Sequence, residues 1–176
     1  MRILIIGGTG FIGTHLCREL HDRDHEVTAL SRSVDGADLP DGVETVMGDV
    51  TARDSIEDAF EGQDVVVNLV ALSPLIRPRG GNDIHFRVHV DGTRNVVRAA
   101  EEHGVERLVQ MSALGADPDG ETAYIKSKGE AESIVRDSSL EWVIFRPSVV
   151  FGDGGEFIPY TKQLAPPYLT PLPGGG

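Results

Sequence analysis

Residues 3–6 are Ile-Leu-Ile-Ile, and they run directly into Gly7-Gly8-Thr9-Gly10-Phe11-Ile12-Gly13. Four consecutive branched apolar residues suit a strand buried on both faces, because a half-exposed strand would alternate apolar with polar. The glycines then call for a tight turn, and Phe11-Ile12-Gly13 opens a helical pattern through Leu16, Cys17 and Leu20. The spacing fits both G-x-G-x-x-G (Gly8, Gly10, Gly13) and G-x-x-G-x-x-G (Gly7, Gly10, Gly13). Between a strand and a helix, such glycines allow a sharp turn, backbone approach to a pyrophosphate, and close packing of helix on strand. The phosphate would rest on free N–H groups at the helix N-terminus. Gly7 to Gly13, with Thr9, Phe11 and Ile12, is therefore read as a dinucleotide-binding turn.

The same alternation continues down the chain. Residues 26–30, 43–47, 64–71, 105–111 and 142–145 read as strands. Helical patterns cover 84–103 and 122–135, and a short one lies near 157–164. After the third strand, Asp54-x-x-Glu57 reads as a capping box for another helix that ends before Gly62. Strands alternating with helices at this spacing predict an α/β fold: a Rossmann-type, doubly wound parallel sheet with helices on both faces.

In such a sheet, ligands collect outside the carboxyl ends of the strands. The second strand ends in Ser31-Arg32-Ser33, with no carboxylate before Asp35. An acidic residue here suits the ribose 2′-hydroxyl of NAD, whereas an Arg suits a 2′-phosphate. Arg32 thus points to NADP, with NAD the weaker expectation; the alternative is an ordinary surface arginine. Asp49 is placed either to reach the adenine amino group, with Val50 against the ring, or to cap the next helix. Val70 and Ala71 are small enough to pass beneath a cofactor. Residues 73–83, with Arg77 and Arg79, read as a loop over the site or a plain surface loop.

Only three of the sixteen basic residues are lysines, and two of them fall in Tyr124-Ile-Lys-Ser-Lys128. Four residues apart on a helix, Tyr124 and Lys128 share a face. A phenol ordinarily titrates near pH 10, too high for proton exchange at neutral pH, and a neighbouring ammonium should lower it. Lys128 could also hold cofactor ribose hydroxyls. Ser112, at the end of the fifth strand, would hydrogen-bond a substrate oxygen. The competing reading is a surface Tyr and Lys on an amphipathic helix.

A net charge of −12 argues against nucleic acid and against anionic membrane surfaces as partners. An acid-rich, lysine-poor surface suits a halophilic protein that stays hydrated at high salt. Cys17 is alone, so neither a disulfide framework nor a thiolate metal site is expected, and it reads as a packing residue. With a strand starting at once and no apolar run of spanning length, no signal peptide and no membrane insertion are expected. The chain reads as cytoplasmic.

Gly-Gly-Thr-Gly-Phe-Ile-Gly, Tyr-Ile-Lys-Ser-Lys and Arg-Pro-Ser-Val-Val-Phe-Gly together resemble the short-chain dehydrogenase/reductase superfamily. Val90-Asp-Gly-Thr-Arg-Asn-Val-Val97 is similar to its extended and atypical branch. The compact Ser-Ala-Leu-Gly-Ala-Asp-Pro loop after Ser112 looks most like NmrA-like proteins and the complex I accessory subunit with a reductase fold. Sugar-nucleotide epimerases are more distant. The resemblance implies a catalytic Ser112, Tyr124 and Lys128, cofactor contacts from Pro147 and Val150, and a small-molecule carbonyl or carbinol substrate. It leaves open homo-oligomerisation and association with a membrane complex. The extended branch commonly has Asn where this chain has His89, which departs from the family's catalytic tetrad. It also implies that residues 1–152 form the NAD(P)-binding domain and 153–176 the start of a truncated substrate-binding region. Two functions follow: an NADP-dependent reductase, dehydrogenase or epimerase, or a non-catalytic dinucleotide-binding regulatory or assembly subunit.

Overall fold

Strand β1 (Arg2–Ile6) is hydrogen-bonded on both sides, to β2 (Glu26–Ser31) and to β4 (Val65–Asn68), which is why its sequence has no polar alternation. With β3 (Glu44–Met47), β5 (Arg107–Met111) and β6 (Glu141–Phe145), the sheet order is β3-β2-β1-β4-β5-β6, every pair parallel. The chain winds outward from β1 to β3, then returns to place β4 against β1. This is the doubly wound order expected, with its crevice where the order reverses. The computed structural model describes residues 1–73 and 80–164 and divides the chain into two units, Met1–Arg146 and Pro147–Gly176.

Alternate residues of β1 feed two cores. Leu4 and Ile6 pack with Val96, Val97 and Ala100 of α3 (Gly92–Glu102) and Val135 of α4 (Ala123–Arg136). Ile3 and Ile5 pack on the other face with Cys17 of α1 (Phe11–His21), Val27, Ala29 and Val67. Each fully buried Leu or Ile stabilises the fold by about 1.5–3 kcal/mol relative to exposure, so β1 anchors both layers.

The structure corrects three elements. Between β3 and β4 the expected helix is absent. Two short 3-10 turns, Arg53–Ser55 and Glu57–Phe60, take its place, with no side-chain cap. The Ser55 hydroxyl donates to Ala52 O at 2.7 Å and accepts from Asp49 N at 3.0 Å, taking main-chain groups that a helix start would need. Ile56 and Phe60 are buried in the core nonetheless. β4 stops at Asn68 rather than 71, because the Asn68 side chain bonds Gln110 at 3.0 Å and accepts from Val70 N at 3.2 Å, turning the backbone out of the ladder. The long helix is not uniform: α2 (Asp83–His85) passes into a π-helical segment (Phe86–Asp91) before α3 begins. Gly104, at φ +70°, closes α3 as expected.

In the second unit, α5 (Phe157–Leu164) forms where a short helix was expected. Arg77, Arg79 and the proline-rich tail lie outside the described residues. Among the described residues no helix is long and apolar enough to cross a membrane.

Candidate functional site

At the end of β1, Gly7 sits at φ +86° and the N–H groups of Gly7 and Gly8 both point to Leu30 O, at 2.8 and 3.3 Å. A Cβ on Gly13 would stand 2.2 Å from Gly7 O and 2.7 Å from Gly8 C, so helix and turn touch at a distance only glycine permits. Thr9 ties the turn to the end of β2, its N–H reaching Ser31 Oγ at 3.2 Å and its hydroxyl donating to Ser33 O at 3.2 Å.

Helix α1 starts with no side-chain cap. Gly10 N is taken by Gly7 O, and the first intrahelical bond is Thr14 N to Gly10 O. The N–H groups of Phe11, Ile12 and Gly13 are therefore orphan donors at the positive end of the helix. That arrangement fits a dinucleotide pyrophosphate: glycines that admit close approach, and three unfilled donors facing it.

The turn opens into a cleft of about 410 Å³. Gly7, Thr9 and Gly10 line it at the turn, and Ser31, Arg32 and Ser33 at the end of β2. Gly48 to Thr51 line it at the end of β3, Val70, Ala71 and Leu72 at the end of β4, and Ile84, Arg87 and Val88 at the start of the long helix. Arg32, Asp49, Val50, Val70 and Ala71 thus share one cavity, as the sequence suggested. Gly8, Phe11, Ile12 and Gly13 build the turn behind it. Pro147 and Val150 belong to the second unit.

Asp49 does two things. Its carboxylate accepts from Thr51 N at 2.9 Å and Thr51 Oγ1 at 2.8 Å, fixing the turn out of β3. Partial burial works against its charge, but those two bonds and the fields of Arg32 and Arg87 outweigh it and hold the acid below its ordinary value. Val50 is held from behind, where Asn95 Nδ2 donates to its carbonyl at 2.8 Å.

Lys128 and Tyr124 lie on the first turns of α4, whose N-cap Thr122 accepts from Ile125 N at 3.2 Å. Lys128 is only 1 % exposed, and its ammonium donates to Met111 O at 3.1 Å and Val70 O at 3.5 Å, at the carboxyl ends of β5 and β4. Burial pulls its pKa down from 10.5 to about 8, against the opposing field of Glu132. The Tyr124 phenol is pushed up by burial, the reverse of the expected direction. The reason is geometric: the Lys128 charge is turned to main-chain carbonyls rather than to the phenol.

Ser112 is engaged within the protein. Its hydroxyl donates at 2.5 Å to the buried Glu132 carboxylate instead of facing an open site. Glu132 further receives Arg146 Nε and Nη2 at 2.7 and 2.6 Å, and Arg136 at 2.9 Å. Burial raises the Glu132 pKa, but the bonds from Arg146, Ser112 and Arg136 prevail and leave it lowered.

His89 lies in the π-helical segment, 2 % exposed. Its Nε2 accepts from Leu72 N at 3.0 Å, so the proton is assigned to Nδ1, which lies 2.9 Å from Ser127 Oγ; Ser127 in turn donates to Tyr124 O at 2.9 Å. Burial, then Lys128 and His85, drive its pKa from 6.5 to about 2. It is a neutral brace that ties the end of β4 to the backbone of Tyr124. His85 packs against both rings, 5.5 Å from His89 and 5.9 Å edge-on from Tyr124, and its buried Nδ1 has no hydrogen-bond partner among the described residues.

Sequence reasoning missed Glu132, Arg146, Ser127, His85 and Arg87. Only Glu132 left a readable signal, one helical turn beyond Lys128.

A family model described as NAD(P)H-binding matches residues 7–162. The chain belongs to this NAD(P)H-binding family, of the short-chain dehydrogenase/reductase and epimerase type. It is 34% identical over 177 residues to the 2-alkyl-3-oxoalkanoate reductase of Stenotrophomonas maltophilia (strain K279a), covering 89% of this chain and 53% of that protein. It is 30% identical over 174 residues to the UDP-glucose 4-epimerase of Vibrio cholerae, covering 86% of this chain and 52% of that one. Among solved structures it resembles the complex of the Thermus thermophilus UDP-glucose 4-epimerase with NAD. There the TM-score is 0.72 at 27% identity, over 88% of this chain and 59% of that one. The chain spans about half the length of these curated relatives.

Proposed function

We propose that this chain is the cofactor domain of an NADP-dependent oxidoreductase or epimerase that acts on a carbonyl or carbinol carbon. The observation that carries the reading is the position of Lys128. Its ammonium lies on the carbonyl of Val70, a residue that also lines the cleft reached from the glycine turn. The Tyr124–Lys128 face of α4 therefore meets the inner end of the cleft. The dinucleotide, when bound, supplies the hydride donor or acceptor.

The chain's own residues do the rest. Orphan N–H groups of Phe11, Ile12 and Gly13 bind pyrophosphate, and Arg32 with Ser31 and Ser33 receives a 2′-phosphate. Lys128 holds ribose hydroxyls in exchange for main-chain carbonyls. Tyr124 gives or takes the proton at the substrate oxygen, its neutral phenol being the form that burial favours. His89 and Ser127 fix the Tyr124 backbone in place of the family's Asn-centred relay. Residues 153–176 begin the substrate-binding region.

Two observations favour a second reading, a dinucleotide-binding subunit without turnover: the Ser112 proton is engaged by Glu132, and burial raises the Tyr124 phenol. Tyr124→Phe separates them. In an enzyme, hydride transfer assayed in the full-length protein across a carbonyl panel should fall by about 100-fold or more while NADPH affinity is kept. Wild-type protein that binds NADPH and turns over no member of the panel would establish the subunit reading instead.

A further inference from the structure

Arg32 and Arg87 come from different parts of the fold, one from the loop after β2, the other from the π-helical segment that follows β4. Both line the same cleft. Neither forms an ion pair among the described residues, whereas Arg18, Arg23, Arg53, Arg94, Arg107, Arg136 and Arg146 all do. Both act on the Asp49 carboxylate, which lines the same cavity and is already engaged with Thr51.

The helix that carries Arg87 packs closely against this wall. A Cβ on Gly92 would stand 2.8 Å from Val50 Cγ2, and Asn95 donates to Val50 O at 2.8 Å. Gly92 and Asn95 thus hold the long helix close against Val50, and this sets where the backbone of Arg87 stands relative to the cleft. Two guanidinium groups brought into one cavity of a chain with net charge −12 repel each other. The arrangement becomes favourable when a compact dianion sits between them, since each guanidinium can present paired N–H donors to phosphate oxygens.

We propose that Arg87 is a specificity-determining residue that joins Arg32 in holding the cofactor's 2′-phosphomonoester. This rests on the assignment of Arg32 to NADP, and adds a second cation that the end of β2 does not supply. The prolonged helix then serves selectivity as well as packing: its first turns deliver the charge, and Gly92 and Asn95 set where it arrives.

NADP⁺ and NAD⁺ differ only by the 2′-phosphate, so titrating both into the full chain isolates this contact. Wild type should favour NADP⁺. Arg87→Ala should weaken NADP⁺ about tenfold and leave NAD⁺ within about twofold, and Arg87→Lys should lose less than alanine because the charge remains. The competing ligand 2′,5′-ADP should follow NADP⁺, and 5′-AMP should follow NAD⁺. Because Arg87 is exposed and outside every ion pair of the described residues, the variants should melt with wild type. If Arg87→Ala leaves both cofactors unchanged, or weakens both equally, the proposal is overturned, while a selective loss in Arg32→Ala would keep the NADP reading intact. A wild type that prefers NAD⁺ overturns both.

Discussion

The glycine-turn cleft and the Tyr124–Glu132 face of α4 meet at the ends of β4, yet they are built on opposite principles. The cleft and the turn behind it present unsatisfied donors: two arginines without ion pairs among the described residues line the cleft, and three helix N–H groups stand in the turn. The α4 side leaves few groups free. Lys128, Ser112, Glu132, Ser127 and His89 are all buried, and each is bonded to another protein group. An open set of donors is a site waiting for an anion. A closed polar network is a site whose protonation states are fixed by burial before any ligand arrives. The contrast separates a donor-rich cleft from a closed polar face, and the following measurements test that separation.

The largest effect should come from Glu132→Ala, which strands the Ser112 hydroxyl and removes the shared acceptor of Arg146 and Arg136. Because both arginines reach solvent, we expect a loss near the low end of the roughly 3–5 kcal/mol seen for broken buried pairs. Glu132→Gln should recover part of it. Urea unfolding measures both, and a loss below about 1 kcal/mol would mean that the network is not structural.

Gly13→Ala should be next, and should act on the cleft alone. Its methyl meets the Gly7 carbonyl and the Gly8 backbone, which cannot move aside as a side chain could. Overpacking of this kind costs about 1–3 kcal/mol, and NADPH binding should be lost with it. Retained affinity would show that the turn is not the pyrophosphate cradle.

Lys128→Met probes the α4 side by pH. The lysine pKa is about 8 when folded against 10.5 as its ordinary value, so between those pH values the unfolded chain binds more protons. Its contribution to stability therefore rises with pH through that window. Wild type should gain about 2 kcal/mol over Lys128→Met between about pH 8 and 9.5. A flat difference would mean that the ammonium is hydrated.

His89→Asn gives the smallest signal. With its folded pKa driven below 6.5, His89 costs stability as pH falls under 6.5, where only the unfolded chain takes up the proton. Wild type should lose about 1 kcal/mol relative to the variant between about pH 6.5 and 5.5. No change in their difference would place a charged imidazole in the brace.

Much of the cofactor half was legible in the sequence. An unbroken apolar strand, glycines at fixed offsets and the absence of a carboxylate after β2 are local signals, and local sterics decide what they build. The helix after β3 misled because a capping box describes only side chains near a helix start, and Ser55 bonds main chain that lies before it. The site on α4 was legible as residue types and not as states. Tyr124 and Lys128 four apart announce a shared face, but their charges answer to burial and to carbonyls 17 and 58 residues away in the chain.

The sequence by itself determined the sheet, the glycine turn between β1 and α1 and the placing of Tyr124 and Lys128 on one helix face, because those follow from periodicity and backbone sterics within short windows. The tertiary structure alone decided that Ser112 answers to Glu132, that His89 is a neutral brace, and that Arg87 enters the cleft beside Arg32. Those outcomes depend on which strand ends and helix turns are brought together, and on how far water is excluded where they meet.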